Sequence, residues 1–161
     1  EGPWVLKQVS SVPNTFDRMV MVETHEAALI ALDGFRNLDR GIIVQSYVSE
    51  ADREDIRVLV IGSQTIGAVS RRATNASVFP SWSFSAAPVE LSLQERTLAE
   101  MAANALDLGL ADTTLIRSNQ SPLVLDANPF PQLQWWDQHR SESAADRLFD
   151  LIEARVTGRG V

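Results

Sequence analysis

Apolar residues along the chain fall into short runs broken by polar, proline- or glycine-bearing segments, and in three places they take up a helical period. "WVLK", residues 4–7, reads as a short buried strand, "QVSSVPNTFDR" as a polar loop, and "MVMV", residues 19–22, as a returning strand. Thr24 is placed to cap a helix whose positions Ala28, Leu29, Leu32 and Phe35 follow the 3.6 period, with Gly34 and "NLDRG" ending it. "IIVQSYV", residues 42–48, predicts another strand, and the acidic loop "SEADRED" follows. In "IRVLVIGSQTIGAVS" two apolar strands meet at Gly62 and Ser63, a pair suited to a two-residue hairpin turn with a positive φ at the glycine. The stretch from Arg71 to Pro88, rich in Ser, Ala, Asn and Pro, reads as a long loop of the kind that carries substrate contacts.

The strongest helical signal is "LSLQERTLAEMAANALDLGL". Ser92 with Glu95 has the spacing of a capping box, Gly109 supplies a stop, and Leu98, Met101, Ala102, Ala105 and Leu108 form the apolar stripe. Strands are expected around Thr114 to Ile116 and Leu123 to Ala127, on either side of the turn "RSNQSP". A last helix, from about Ser143 to Val156, has Leu148, Leu151, Ile152 and Val156 on one side. Strands and helices are segregated and neighbouring strands mostly antiparallel, so the fold class is α+β with flanking helices. Two lobes are expected, residues 1–48 and 49–161.

Composition removes several function classes. The chain has 161 residues, enough for a real core, and no cysteine, which excludes disulfides, thiolate metal sites and a cysteine nucleophile. A net charge of −7, with Lys7 the one lysine among 14 basic residues, argues against a nucleic-acid partner. No run approaches the roughly 18 apolar residues of a membrane span and no signal peptide is visible, so a soluble cytoplasmic protein without a membrane partner is expected. Glu1 in place of Met points to a piece of a longer or processed chain. Homo-oligomer formation is left open.

Four groups of residues could carry chemistry. Lys7 at a strand end could hold a phosphate as a point charge, or be a solvated lysine. Arg57 and Arg71, on the two arms of the hairpin, could converge on a polyphosphate or carboxylate, or form salt bridges with Glu50, Asp52, Glu54 and Asp55. In "PLVLDANPFPQ", Asp126 and Asn128 are two positions apart, so strand alternation turns both oxygens to one face. They offer the hard ligands Mg²⁺ takes, or a carboxylate that caps the turn at Pro129. An acid on the inner face of so apolar a strand would need a cation opposite it. Trp135 and Trp136 read as core packing or as a binding wall.

Taken in order, "VLK", "VQSYVSEADREDIRVLVIG", "AVSRRA", "LGL", "TLIRS" and "PLVLDANPFP" occur at close to the spacing of the RimK-like branch of the ATP-grasp ligases, and the chain resembles their central and C-terminal subdomains, without the N-terminal domain. "NPFPQLQWW" is also similar to the N-P-x-G-Q-W stretch of graspetide or microviridin-type peptide ligases. The resemblance implies a two-lobed ATP-grasp fold and an ATP-dependent carboxylate–amine ligase. Its substrates would be small-molecule or peptide carboxylates and amines, joined through an acyl phosphate. On that footing Lys7 matches the lysine on the ATP phosphates, and Gln45, Ser46, Tyr47 and Val48 the lobe-linking strand whose backbone pairs with adenine. Arg57 and Arg71 match arginines that stabilise transferred phosphate and the acyl phosphate, and Asp126 and Asn128 the residues that hold Mg²⁺.

The sequence departs from the family pattern at several points. Thr114 occupies the place of the family's other metal-binding aspartate, and Asp112 is expected to replace it only if the strand register shifts. Asp126 is one carbon shorter than the usual glutamate, "SSVPNTFDR" replaces a glycine-rich loop, and "PSWSF" stands where an R-x-N element is expected. These departures raise a second reading, a degenerate ATP-grasp module that binds nucleotide or a protein or peptide partner without catalysis.

Overall fold

A computed structural model describes residues 2–9, 16–35, 41–49, 54–74, 84–118, 121–139 and 143–158. Its elements are β1 (Trp4–Val9), β2 (Phe16–Val22), α1 (His25–Phe35), β3 (Ile42–Ser46), β4 (Glu54–Ile61), β5 (Gln64–Ala73), β6 (Phe84–Pro88), α2 (Leu93–Ala105), β7 (Leu110–Arg117), β8 (Pro122–Asn128), α3 (Leu133–Asp137) and α4 (Ala144–Thr157). The class is α+β, every strand pair is antiparallel, and the chain divides into two units, residues 1–49 and 50–161.

In the first unit the sheet order is β2-β1-β3. Leu6, on the central strand, is fully buried with Val22 and Phe35, and Trp4, Val20, Ala27, Ala28, Ala31, Leu32 and Ile42 close around them. Thr24 Oγ1 accepts the Ala27 N–H at 3.1 Å, so the expected cap is formed. Of the expected α1 stripe, Ala28, Leu32 and Phe35 pack inward, joined by the small Ala27 and Ala31, while Leu29 is exposed. Gly34 lies in the last turn of the helix, whose described part ends one residue later at Phe35. Both β1 and β2 run further than their apolar letters, which makes Lys7 a buried mid-strand residue and not a solvated strand end. Residues 10–15 and 36–40, expected as loop and helix end, lie outside the described residues.

The second unit is built on a five-stranded sheet of order β6-β5-β4-β7-β8. The turn between β4 and β5 has positive φ at both centres, Gly62 (59°) and Ser63 (68°), as a type I′ hairpin requires. The expectation covered only the glycine. Ser63 is held there as its hydroxyl donates to Asn104 Oδ1 at 2.7 Å. Part of the expected loop from 71 to 88 is strand: β5 continues to Ala73, and β6 adds an edge strand with Arg71 opposite Ala86. Every residue of β6 is exposed, so no apolar alternation marked it. Residues 75–83 lie outside the described residues.

Each face of this sheet is covered differently. Ile56, Val58, Val60, Ala68, Ala111 and Leu115 pack against Ala99 and Ala103 of α2. The α2 capping box is formed in both directions, Glu95 N–H to Ser92 Oγ at 3.2 Å and Ser92 N–H to Glu95 Oε2 at 2.8 Å. The helix stops at Ala105, before Gly109, because Asp107 takes the left-handed position (φ 53°) and Leu108 N–H returns to the Ala103 carbonyl at 3.0 Å. Its fully inward positions are Glu95, Ala99 and Ala103; of the expected stripe Leu98 and Leu108 pack against the same core, and Met101 is exposed. On the opposite face Leu59, Ile61, Val69, Trp136, Ala144 and Leu151 form a second core under α3 and α4. Trp136 is fully buried and Trp135 packs against the same core, whereas Ile152 and Val156 of α4 are exposed.

Candidate active site

Cross-strand partners in a sheet project to the same face. Arg57 stands opposite Thr114 and Val69, Asp55 opposite Arg71, Asp112 opposite Leu59 and Asn128, and Thr114 opposite Asp126. Asp55, Arg57, Arg71, Asp112, Thr114, Asp126 and Asn128 therefore share one face of the second unit, the face whose other half is the apolar core under α3 and α4. The sheet thus brings together the four sequence-predicted residues of this unit. A β-bulge between Thr114 and Leu115 shifts the register from Asp126 to Val124, so Val124 and Asp126 fall on opposite faces.

Both arginines are clamped by acids. Arg71 donates from Nε to Asp55 Oδ1 at 2.8 Å and from Nη2 to Asp55 Oδ2 at 2.5 Å. Its guanidinium also lies over the Phe84 ring, 4.7 Å from the centroid. Arg57 donates from Nε to Asp112 Oδ1 at 2.7 Å and from Nη2 to Asp112 Oδ2. Asp112 is almost fully buried, and that burial pushes its pKa above the ordinary carboxylate value while Arg57 pulls it back. The Trp136 indole N–H approaches the same carboxylate and also lowers its pKa, yet the nitrogen has no well-formed hydrogen bond.

The need for a cation opposite a buried acid is thus met at Asp112 and not at Asp126. Asp126 is exposed on the edge strand β8. The turn after β8 is capped by Asn128, whose Oδ1 accepts the Phe130 N–H at 2.9 Å. Asp112 shares its face with Thr114 without any register shift, but both its oxygens are occupied by Arg57. From sequence Asp112 is admitted only on a register shift, because the strand is begun at Thr114, and Arg57 is not foreseen as its partner. The observed strand runs from Leu110 to Arg117 and is buried from Ala111 to Ile116, polar Asp112, Thr113 and Thr114 included.

In the first unit, Lys7 pairs in register with Met19 and Ile43. Gln45 and Ser46 end β3, an edge strand, and Tyr47 and Val48 follow it. The Tyr47 N–H donates to the Pro3 carbonyl at 3.0 Å, which commits that amide.

The family model described as RimK-like ATP-grasp domain matches residues 1–152. The chain belongs to the RimK-like ATP-grasp family. A probable alpha-L-glutamate ligase of Pectobacterium carotovorum subsp. carotovorum (strain PC1) is 35% identical over 161 residues, covering 98% of this chain and 52% of its own length. The ribosomal protein bS6–L-glutamate ligase of Escherichia coli O81 (strain ED1a) is 33% identical over 158 residues, covering 97% and 52%. This RimK-like chain spans about half the length of the curated relatives it matches. In fold it is similar to the D-alanine–D-alanine ligase of Bacillus anthracis complexed with ATP, at TM-score 0.67 and 17% identity over 97% of this chain and 54% of that one. The ATP-grasp ligase PsnB complexed with a minimal precursor gives 0.66 and 17%, over 96% and 48%.

ATP-grasp ligases use ATP, and a PsnB structure was determined with Mg and ADP. Among the described residues no group of three or more acidic or histidine side chains could hold a metal. With Asp112 occupied, the donors on the face are the Asp126 carboxylate, the second lone pair of Asn128 Oδ1 and the Thr114 hydroxyl. That set fits a Mg²⁺ held largely by substrate phosphates and water, which needs only one or two carboxylates. It does not fit an all-protein cage.

Proposed function

We propose that this chain is the catalytic part of an ATP-dependent ligase that joins a carboxylate to an amine through an acyl phosphate. The observation that carries the reading is the pair of acid-clamped arginines on the same sheet face as Asp126 and Asn128, in a RimK-like ATP-grasp domain. Phosphoryl transfer to a carboxylate needs little acid–base chemistry and much neutralisation and positioning of oxyanions. Arg57 and Arg71 would donate to the transferred phosphate and to the acyl phosphate. Asp126 and Asn128 would hold Mg²⁺, which when bound supplies charge neutralisation at the ATP phosphates. In the first unit Lys7 would contact ATP phosphate, and the backbone of Gln45, Ser46 and Val48 would meet adenine, with the Tyr47 N–H already committed to Pro3.

The relatives are named as ligases that use glutamate, one of them on a ribosomal protein. An amino-acid amine and a peptide or protein carboxylate are therefore the first substrates to try. The reading without catalysis is not favoured, since the matched relatives and solved structures are named as ligases. Thermal unfolding with and without ATP and Mg²⁺ tests the proposal. A ligand at 100 times its Kd stabilises by about 2.7 kcal/mol, a shift of several degrees, and no shift at millimolar ATP rejects the reading.

A further inference from the structure

Arg57 and Arg71 are each held in the same way, by Nε and Nη2, on the two oxygens of one aspartate. A guanidinium has five N–H donors in a rigid plane. Pairing along the Nε–Nη2 edge consumes two of them and leaves three, and two of those three lie parallel along the Nη1–Nη2 edge. That second edge is a complete fork for another oxyanion. Neither Nη1 makes a bond among the described residues, and the two side chains keep 20% and 23% of their surface exposed.

We propose that Asp112 and Asp55 are positioning residues, each fixing one arginine along its inner edge so that the outer fork stays aimed for phosphate or carboxylate oxygens. The inference rests on the ligase reading above and adds two residues to it. The acids supply what a flexible side chain lacks, one rotamer and one plane, before any ligand arrives. The two clamps differ in depth. Asp112 keeps 3% of its side chain exposed, with the Trp136 indole beside it, whereas Asp55 keeps 11% and its arginine has the Phe84 ring as a second support. Asp112 stands opposite Asn128 and by place alone could be counted a metal ligand. Its engagement with Arg57 assigns it to the arginine instead.

The test compares wild type, Asp112→Asn, Arg57→Gln and the double variant in the full-length protein. ATP affinity is measured by calorimetry, and turnover is followed across a Mg²⁺ titration. The expected result is a loss of tenfold or more in kcat/KM for Asp112→Asn, with its Mg²⁺ half-saturation within about twofold of wild type, and a double variant no worse than Arg57→Gln alone. A Mg²⁺ requirement raised tenfold would make Asp112 a metal ligand and overturn the proposal, as would losses that multiply in the double variant. Wild-type turnover with Asp112→Asn unimpaired overturns this inference alone. A wild type that binds no ATP overturns the ligase reading and this inference with it. Should Asp112→Asn not fold at the assay temperature, Asp55→Asn against Arg71→Gln gives the same cycle at the shallower pair.

Discussion

At the scale of single residues, the candidate site is a balance between burial and charge. A buried ion pair adds little net stability, but removing one partner leaves the other uncompensated, at a cost of about 3–5 kcal/mol. Arg57→Ala is therefore expected to lose about that much in denaturant unfolding, and Arg57→Ala with Asp112→Asn less than the single change. The pH dependence has a definite sign. The pKa of Asp112 is raised in the fold, so its contribution is complete below its ordinary value and is lost as pH rises through the folded value. Arg57→Ala should accentuate this and be more stable near pH 4.5 than near pH 7.5, and equal loss at both would contradict it. The residues Arg57, Arg71, Asp126 and Asn128 were legible in sequence as candidates through residue type and spacing. Their partners were not, because the Arg57–Asp112 pair spans 55 positions and depends on a strand register that no local pattern encodes.

At the scale of elements, local chemistry was read well and the buried helix faces in part. Capping residues Thr24 and Ser92 were legible because a cap is decided within four residues, and at Ser143, expected only as the start of the last helix, Oγ accepts the Asp146 N–H at 3.2 Å. On the buried sides of α1, α2 and α4, the expected Ala28, Leu32, Phe35, Leu98, Leu108, Leu148 and Leu151 pack inward, whereas Leu29, Met101, Ile152 and Val156 are exposed. Alanine packs closely against a sheet, so Ala27, Ala31, Ala99 and Ala103 face inward while larger apolar residues at the flanks, such as Leu29 and Met101, stay exposed. Two elements test these arguments. Glu95 closes the capping box and also takes Arg117 Nε at 2.5 Å, tying α2 to the end of β7, and these bonds, Arg117 first, lower its pKa to about 2. A lowered pKa means stability present above the ordinary value of 4.5 and lost as pH falls toward 2. Glu95→Gln should cost about 1–3 kcal/mol at neutral pH and flatten the acid limb of the stability curve. At the β4–β5 turn, a Cβ on Gly62 would lie 2.9 Å from Leu151 Cδ1 at a φ of 59°. Gly62→Ala should lose about 1–3 kcal/mol by thermal unfolding, and Ser63→Gly should be neutral or stabilising.

At the scale of the whole molecule, the antiparallel sheets and the RimK-like family model converge on one architecture, which the order of strand and helix signals already suggested. The proposed chemistry is modest in protein groups: two arginines held by acids, one lysine, and an acid and an amide that would take a metal. No helix is long and apolar enough to cross a membrane among the described residues. The central claim is activation of a carboxylate by ATP, and hydroxylamine trapping tests it most directly. The full-length protein is incubated with ATP, Mg²⁺, a glutamate-terminated peptide and hydroxylamine in place of the amine, and peptide hydroxamate is measured by mass spectrometry. The account predicts hydroxamate in step with ADP, both sharply reduced in Arg57→Gln. ADP released without hydroxamate, or in equal amount without the peptide, would contradict it.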